Sequence, residues 1–454
     1  MAEIDSENPS TQSRLEILSE ALASGAAGKV RRLVHNLHPA EIGDLLESLP
    51  QGPRVILWEL VDADDRGEVL LHVNDEVRAG LIKEMEPGEL VAMTEGLDTD
   101  DLADLLADLP GAVIHEVLRV MDLQNRHRLE AVLSYPEDTA GGMMNVDTVT
   151  VRADVSVDVV LRYLRLRGNI PDLTDSLMVV SRYDKYLGLL PLTTLLTSDP
   201  DQTVAEVMDR EIEGIRADVP DAEVAKIFQD RDLISAPVVD SNGKLLGRIT
   251  IDDVVDVIRD EADHSLMSMA GLDEEDDIFA PVVTSATRRG VWLGINLITA
   301  FLASWVIGLF EATLEKVVAL AVLMPIVASM GGIAGSQTLT LVIRGMALGK
   351  IGKSNARWLM LKELAVGTLN GALWAVIVAV IATAWFQSTD IGLIIGAAII
   401  INLVCAAVAG FSIPIMLQRF GIDPALAGSV LLTTITDVVG FMAFLGLGTL
   451  FLLA

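Results

Sequence analysis

The spacing of apolar positions changes twice along the chain. From about residue 30 to 133, apolar residues recur at helical spacing in short runs, as in HPAEIGDLLESLP (His38–Pro50), EPGELVAMTEGL (Glu86–Leu97) and TDDLADLLADLP (Thr99–Pro110). Each run starts with a turn or capping residue followed by an acid, Glu41, Glu89 or Asp101. Units this short cannot bury an apolar face alone, so they predict a stacked, superhelical array of helices. Carboxylates at helix starts also interact favourably with the helix dipole, which accounts for most of these acids without any ligand.

From residue 135 to 258 short apolar runs alternate with helical ones, and the pattern repeats. Val151–Leu164 (VRADVSVDVVLRYL) matches Ile215–Phe228 (IRADVPDAEVAKIF) at an offset of 64, and Leu177–Leu196 matches Ala236–Val255 at an offset of 59. The first copy therefore carries five more residues, within RGNIPDLTDS. Each copy reads strand, helix, strand, turn, strand, helix, and Ser241-Asn242-Gly243 is a hairpin signal.

Beyond residue 284 the pattern becomes almost continuously apolar. Five stretches reach the roughly 20 residues that a membrane span needs: Gly290–Phe310, Val317–Ile343, Leu364–Phe386, Ile391–Leu417 and Pro424–Leu453. Arg288 and Arg289 precede the first; Glu311, Glu315 and Lys316 follow it. Lys350, Lys353, Arg357 and Lys362 lie in the second loop, Asp390 in the third and Arg419 in the fourth. The positive-inside rule puts the N-terminus in the cytoplasm and the C-terminus outside after five crossings. The start, MAEIDSENPSTQSR, lacks the basic and apolar regions of a signal peptide, which agrees with that orientation. Pro325 and the glycines of Met330–Gln337 (MGGIAGSQ) predict an interruption in the second span.

Composition sharpens this division. The 454 residues carry a net charge of −31, yet 51% of them are hydrophobic. Split after residue 284, the front part holds 24 basic and 58 acidic residues and the back part 9 and 6. A front part at −34 repels phosphate backbones and attracts cations, so nucleic acid is excluded as a partner and divalent cations are expected. No GxxxxGK[ST] loop and no His–Cys cluster points to an enzyme, and the lone Cys405 cannot form an intrachain disulfide.

Two sets of acids carry the candidate chemistry. Asp437, in LLTTITDVVGF near the middle of the last span, is expensive in hydrocarbon. It either joins two helices or faces a wet cation path, and the second reading is favoured because Thr433, four residues earlier, shares its face. Glu363, beside Lys362 at the start of the third span, reads as an interfacial residue, and Asn296, Asn370 and Asn402 as hydrogen bonds between helices. On the helix leading into the membrane part, Asp253, Asp256 and Asp260 project from one side, followed by Glu261 and the acidic segment Leu272–Pro281. Crowded carboxylates of this kind suit a hard divalent cation such as magnesium, which uses one or two carboxylates and keeps several waters.

The tandem at 135–258 resembles a pair of cystathionine-β-synthase (CBS) domains. Gly247-Arg-Ile-Thr250-Ile-Asp-Asp253 matches the pattern with which such domains hold an adenosine nucleotide, whereas the first copy has Pro191 and Thr194 at the corresponding places, so the pair either offers one nucleotide site at most per chain or is purely structural. With YPEDTAGGMM (Tyr135–Met144), Met324–Gly345, IDPALAG (Ile422–Gly428) and TDVVGF (Thr436–Phe441), the whole chain resembles the MgtE family of magnesium transporters. The resemblance implies a multidomain membrane protein: an acidic, superhelical N domain (1–134), an α/β pair of CBS domains (135–258), a connecting plug helix and acidic linker (252–284) and a five-helix transmembrane pore domain (285–454). It implies a homodimer in the cytoplasmic membrane that conducts Mg2+ and is no enzyme. Asp437 and Thr433 would hold the ion in the pore, cytosolic Mg2+ on Asp253, Asp256, Asp260 and Glu261 would close it, and ATP at Thr250 and Asp253 would tune it. His264 and Ser265 stand where the family has further acids, and Ile333 where it has an asparagine. A transporter of Co2+ or Mn2+, and a membrane-anchored nucleotide sensor that conducts nothing, are the competing readings.

Overall fold

A computed structural model describes residues 11–453 apart from 24–25, 84, 95–96, 98, 108, 110, 122, 273–275 and 353. Lys353, and Asp273, Glu274 and Glu275 of the acidic segment, thus lie outside the described residues, as do the first ten residues. Two compact units emerge: Met1–Asp263 with Glu275–Pro281, and His264–Glu274 with Val282–Ala454.

The first unit opens with helices α1 (Thr11–Ala23), α2 (Ala27–Val34), α3 (Pro39–Glu47), α4 (Gln51–Trp58), α5 (Arg66–Leu71), α6 (Asp75–Lys83), α7 (Pro87–Met93), α8 (Thr99–Ala107), α9 (Gly111–Val120) and α10 (Leu123–Val132). The acids at the helix starts cap them. The His38 backbone N–H donates to Glu41 at 3.0 Å while the Ala40 N–H donates to the His38 ring, and the Glu86 N–H donates to Glu89 at 3.2 Å. Leu45, Leu46, Leu57, Leu70, Leu105 and Leu106 are buried in the seam between helices. A buried bidentate pair, Arg54 to Asp277 at 2.7 and 3.0 Å, ties the segment before residue 282 to this array.

Two small sheets follow. In the first, β1 (Thr150–Arg152) pairs parallel with β2 (Ser176–Val180), which pairs antiparallel with β3 (Tyr186–Pro191); α11 (Val157–Arg167) makes the crossover, and α12 (Leu192–Thr197) and α13 (Val204–Val207) complete the copy. The second repeats the arrangement with β4 (Ile215–Arg216), α14 (Asp221–Arg231), β5 (Ser235–Val239), β6 (Leu245–Thr250) and α15 (Ile251–Ser268). Both hairpins shift register at matching places, between Val179 and Val180 and between Val238 and Val239. The longer connection of the first copy reaches across to the second, where buried Arg248 donates to the Asp172 carbonyl at 2.6 Å and to Thr174 at 3.3 Å. The copies differ in their neighbours. The second shares one continuous core with the helical array through Val224, Phe228, Val238 and Ile249, whereas the first has a core of its own around Val160, Leu177 and Leu190.

The second unit consists mainly of α16 (Val282–Gly308), a short α17 (Glu311–Lys316), α18 (Val318–Ala347), α19 (Ala356–Phe386), α20 (Thr389–Arg419) and α21 (Pro424–Leu452). Five of these are long and apolar enough to cross a membrane, and α20 is the most buried of them. Three expectations need correction. Arg288 and Arg289 lie inside α16 rather than before it, and Glu363 sits, buried, two turns inside α19 rather than at its start. The break expected at Pro325 and Met330–Gln337 is absent, because α18 runs through both as one helix. Its glycines serve close packing instead. A side chain at Gly331 would collide with Asn402 of α20, and one at Gly335 with Leu432 of α21.

Candidate cation sites

The membrane unit presents an open groove of about 870 Å³ between α18 and α21. From α21 it is lined by Thr433 and Asp437, and from α18 by a face at i, i+4, i+7, i+11 and i+15 that includes Ser329, Ile333, Ser336, Thr340 and Arg344. Thr433 and Asp437 are thus brought together, as their spacing requires. Asp437 is half-buried and, among the described residues, makes no hydrogen bond or ion pair. The Thr433 hydroxyl donates back to the carbonyls of Ser429 and Val430 at 3.0 and 3.1 Å, and its own carbonyl accepts from Thr436 at 3.1 Å. The hydroxyls are therefore engaged by the helix, and the carboxylate is the group with spare acceptor capacity.

Ile333 is exposed on the groove, so an apolar side chain occupies part of the wall. Ser336, Gln337, Thr340 and Arg344 escape a reading of the sequence. Their helical periodicity is visible there, but the break expected at the glycines hides the fact that they share one continuous face. Asn402 of α20 packs between the two helices that form the groove. Fully buried, it donates to the Val327 carbonyl at 2.8 Å and is wedged between Gly331 of α18 and Gly440 of α21.

The second site lies in the acidic unit. Thr250 ends β6, and its hydroxyl bonds Asp252 and, at 3.4 Å, Asp253 in the first turn of α15. Burial, reinforced by the neighbouring charges of Asp100, Asp252 and Asp101, pushes the Asp253 carboxyl up to about 9. Asp100 is itself buried and accepts from the Asn145 amide at 3.1 Å. Asp256, Asp260 and Glu261 are exposed farther along α15. The Asp256 charge acts on His72, whose imidazole burial holds below its ordinary value. Although exposed at its surface, the Asp260 carboxyl is partly desolvated by its neighbours, which raises it, with Asp256, Asp263 and Asp75 adding to the shift against Arg259. The face of α15 bearing Asp253, Asp256 and Asp260 thus looks toward residues 72, 75, 100 and 101 of the helical array. Among the described residues no group of three or more His, Cys, Asp or Glu is arranged to hold a metal ion. What exists is a spread of carboxylates, which suits an ion that keeps much of its water.

His264, in the last turns of α15, lies 3.5 Å from Asp423. Asp423 in turn caps α21 by accepting from the N–H groups of Ala425 and Leu426 at 2.9 and 3.0 Å. Arg344 has no ion-pair partner among the described residues.

A carboxylate in a groove between two long apolar helices, together with an acidic module built on a CBS pair, fits a polytopic cation transporter. The sequence profile described as "Divalent cation transporter" (MgtE) matches residues 324–447, that of the MgtE intracellular N domain residues 37–138, and that of the CBS domain residues 204–260. The magnesium transporter MgtE of Thermus thermophilus is 32% identical over 96% of this chain and 98% of its own length. That of Bacillus subtilis is 26% identical over 95% and 96%. A solved cytosolic domain of the Mg2+ channel MgtE, in complex with ATP, is 33% identical over 54% of this chain and 99% of its own, with a TM-score of 0.48. The chain belongs to the MgtE family of magnesium transporters.

Proposed function

We propose that the chain mediates uptake of Mg2+ across the cytoplasmic membrane as a homodimer, closed by cytosolic Mg2+ and tuned by ATP. The observation that carries this reading is the unpaired carboxylate of Asp437 beside Thr433 in the groove between α18 and α21. The groove is open on one side, which suits a pore completed by the same groove of a second copy. Two Asp437 carboxylates facing each other there repel unless a dication lies between them. Magnesium gives up its water reluctantly, and hydroxyls and small side chains along α18 leave room for the hydrated ion.

The N domain (1–134), CBS pair (135–258), plug helix with acidic linker (252–284) and pore domain (285–454) then act as sensor, relay and gate. With Mg2+ scarce, Asp256, Asp260 and Glu261 repel one another and the acids of the helical array while Asp253 keeps its proton until Mg2+ displaces it, which favours an open state. Bound Mg2+ favours the closed one, and the shift equals the difference in its affinity for the two states. ATP at Thr250 and Asp253 would bring phosphates beside Asp100 and Asp101, so its affinity should rise with Mg2+. The N-terminus is cytoplasmic and the C-terminus outside, in keeping with the basic residues of the second and fourth loops.

The test is growth of a strain lacking its own magnesium transporters on limiting Mg2+. Wild type restores growth and Asp437→Ala does not; full rescue by Asp437→Ala would remove the pore assignment.

A further inference from the structure

Among the described residues, the buried acid of the membrane unit that the transport reading leaves unused is Glu363. It lies two turns into α19, is only 6% exposed, and is buried on the opposite flank of α18 from the groove. Its Oε1 accepts from the Lys362 ammonium at 2.7 Å, and its Oε2 accepts from the Thr338 hydroxyl of α18 at 3.3 Å. Thr338 is likewise buried, at 7% exposure. Small residues of α20 create the space. A side chain at Gly410 would strike the Gly335 carbonyl at 2.7 Å and the Thr338 Cβ at 3.0 Å, and one at Gly367, a turn beyond Glu363, would strike Ala407. A carboxylate is costly to bury in a membrane segment, and this one is retained with an acceptor contact aimed at a single hydroxyl of α18. On α18, Thr338 directly follows Gln337 and comes two residues before Thr340, both of which line the groove.

We propose that Glu363 is a positioning residue for conduction: through Thr338 it fixes, from behind, the stretch of α18 whose front forms the wall opposite Asp437. The proposal rests on the groove being the conduction path. Glu363 touches no ion; it sets the rotation and depth of α18 at Gln337 and Thr340. Losing the carboxylate frees α18 to shift against α20 at Gly410, and the distance across the groove to Asp437 changes with it. A neutral amide at the same place still offers Thr338 an oxygen, so the contact, rather than the charge, is what conduction requires.

The experiment measures Mg2+ influx into proteoliposomes for the full-length chain, normalised to folded protein recovered by size exclusion. Wild type, Glu363→Ala, Glu363→Gln, Thr338→Val, the Glu363→Ala/Thr338→Val pair and Asp437→Ala are compared. Expected are a fall of about tenfold for Glu363→Ala and about fivefold for Thr338→Val, the scale of one hydrogen bond to a charged group. Glu363→Gln stays within about threefold of wild type, and the double variant falls no more than about twofold below Glu363→Ala, because the two residues act as one unit. Wild-type flux in Glu363→Ala with a dead Asp437→Ala overturns the positioning role alone. Equal losses in Glu363→Ala and Glu363→Gln, or losses that multiply in the double variant, overturn it too. Full flux in Asp437→Ala overturns the conduction path and this inference with it. Should Glu363→Ala fail to fold, Thr338→Val, which keeps the side-chain volume, decides: a loss supports the role and wild-type flux overturns it.

Discussion

The two acidic regions use carboxylates in opposite ways. In the groove between α18 and α21 a single Asp437 stands without a partner among the described residues, facing small and hydroxylated side chains together with Ile333, Leu341 and Arg344. In the soluble unit Asp253 is crowded by Asp100, Asp252 and Asp101, and further acids follow along α15. One isolated carboxylate attracts a dication without holding it tightly, as passage requires. A crowd of them holds a proton that a dication would displace, which suits a sensor. The difference is one of number and burial, not of residue type.

The strongest way to break that contrast is to neutralise the crowd while leaving the groove untouched. Asp253→Asn, Asp256→Asn and Glu261→Gln together should leave Mg2+ flux running at millimolar cytosolic-side Mg2+. Patch-clamp currents that shut off as in wild type would remove the sensor role of α15. A smaller but still large effect is expected at the ion pair that fixes the segment before α16. Arg54→Ala should destabilise the acidic unit by about 3–5 kcal/mol, since it strands the buried Asp277 carboxylate, and chemical denaturation followed by circular dichroism measures it.

The crowd also sets a pH dependence. The Asp253 carboxyl titrates near 9 in the folded protein and near 3.8 when unfolded, so between these values the folded chain holds a proton that the unfolded chain has released. Its contribution is therefore fully present below about pH 4 and is lost as pH rises toward 9. In EDTA the melting temperature of the full-length protein should decline from pH 6 to 9, and Asp253→Asn should flatten that decline. An unchanged slope in the variant would show that Asp253 is ionised without magnesium. The smallest effect belongs to the caps: Glu41→Ala should cost about 1 kcal/mol, read by the same denaturation, because it removes one half of the box at His38.

Much of this architecture is legible in the sequence because it rests on periodicity. The acids after His38 and Glu86 mark helix starts, the offset repeat marks the paired sheets, and five apolar stretches mark the five long helices, although α16 and α19 begin eight residues earlier than those stretches. Thr433 and Asp437 share the groove because a four-residue spacing leaves helical side chains little choice. What is not legible depends on partners distant in sequence. Nothing local announces that Arg54 meets Asp277, 223 residues away, or that Asp100 and Asp101 face Asp253. The glycines of α18 mislead for a related reason. Local propensity reads them as a break, whereas their purpose lies in Asn402 and Leu432 on other helices. Glu363 reads as the start of a helix because its position in the sequence, beside Lys362, conceals how far α19 extends before it.

The central claim, that Asp437 is the carboxylate through which magnesium passes, is tested most directly by Mg2+ flux into proteoliposomes holding wild type or Asp437→Ala, with cobalt as competitor. Wild type should carry Mg2+, and Asp437→Ala should fall to the leak of protein-free vesicles while remaining folded. Flux through Asp437→Ala at the wild-type rate would contradict the account.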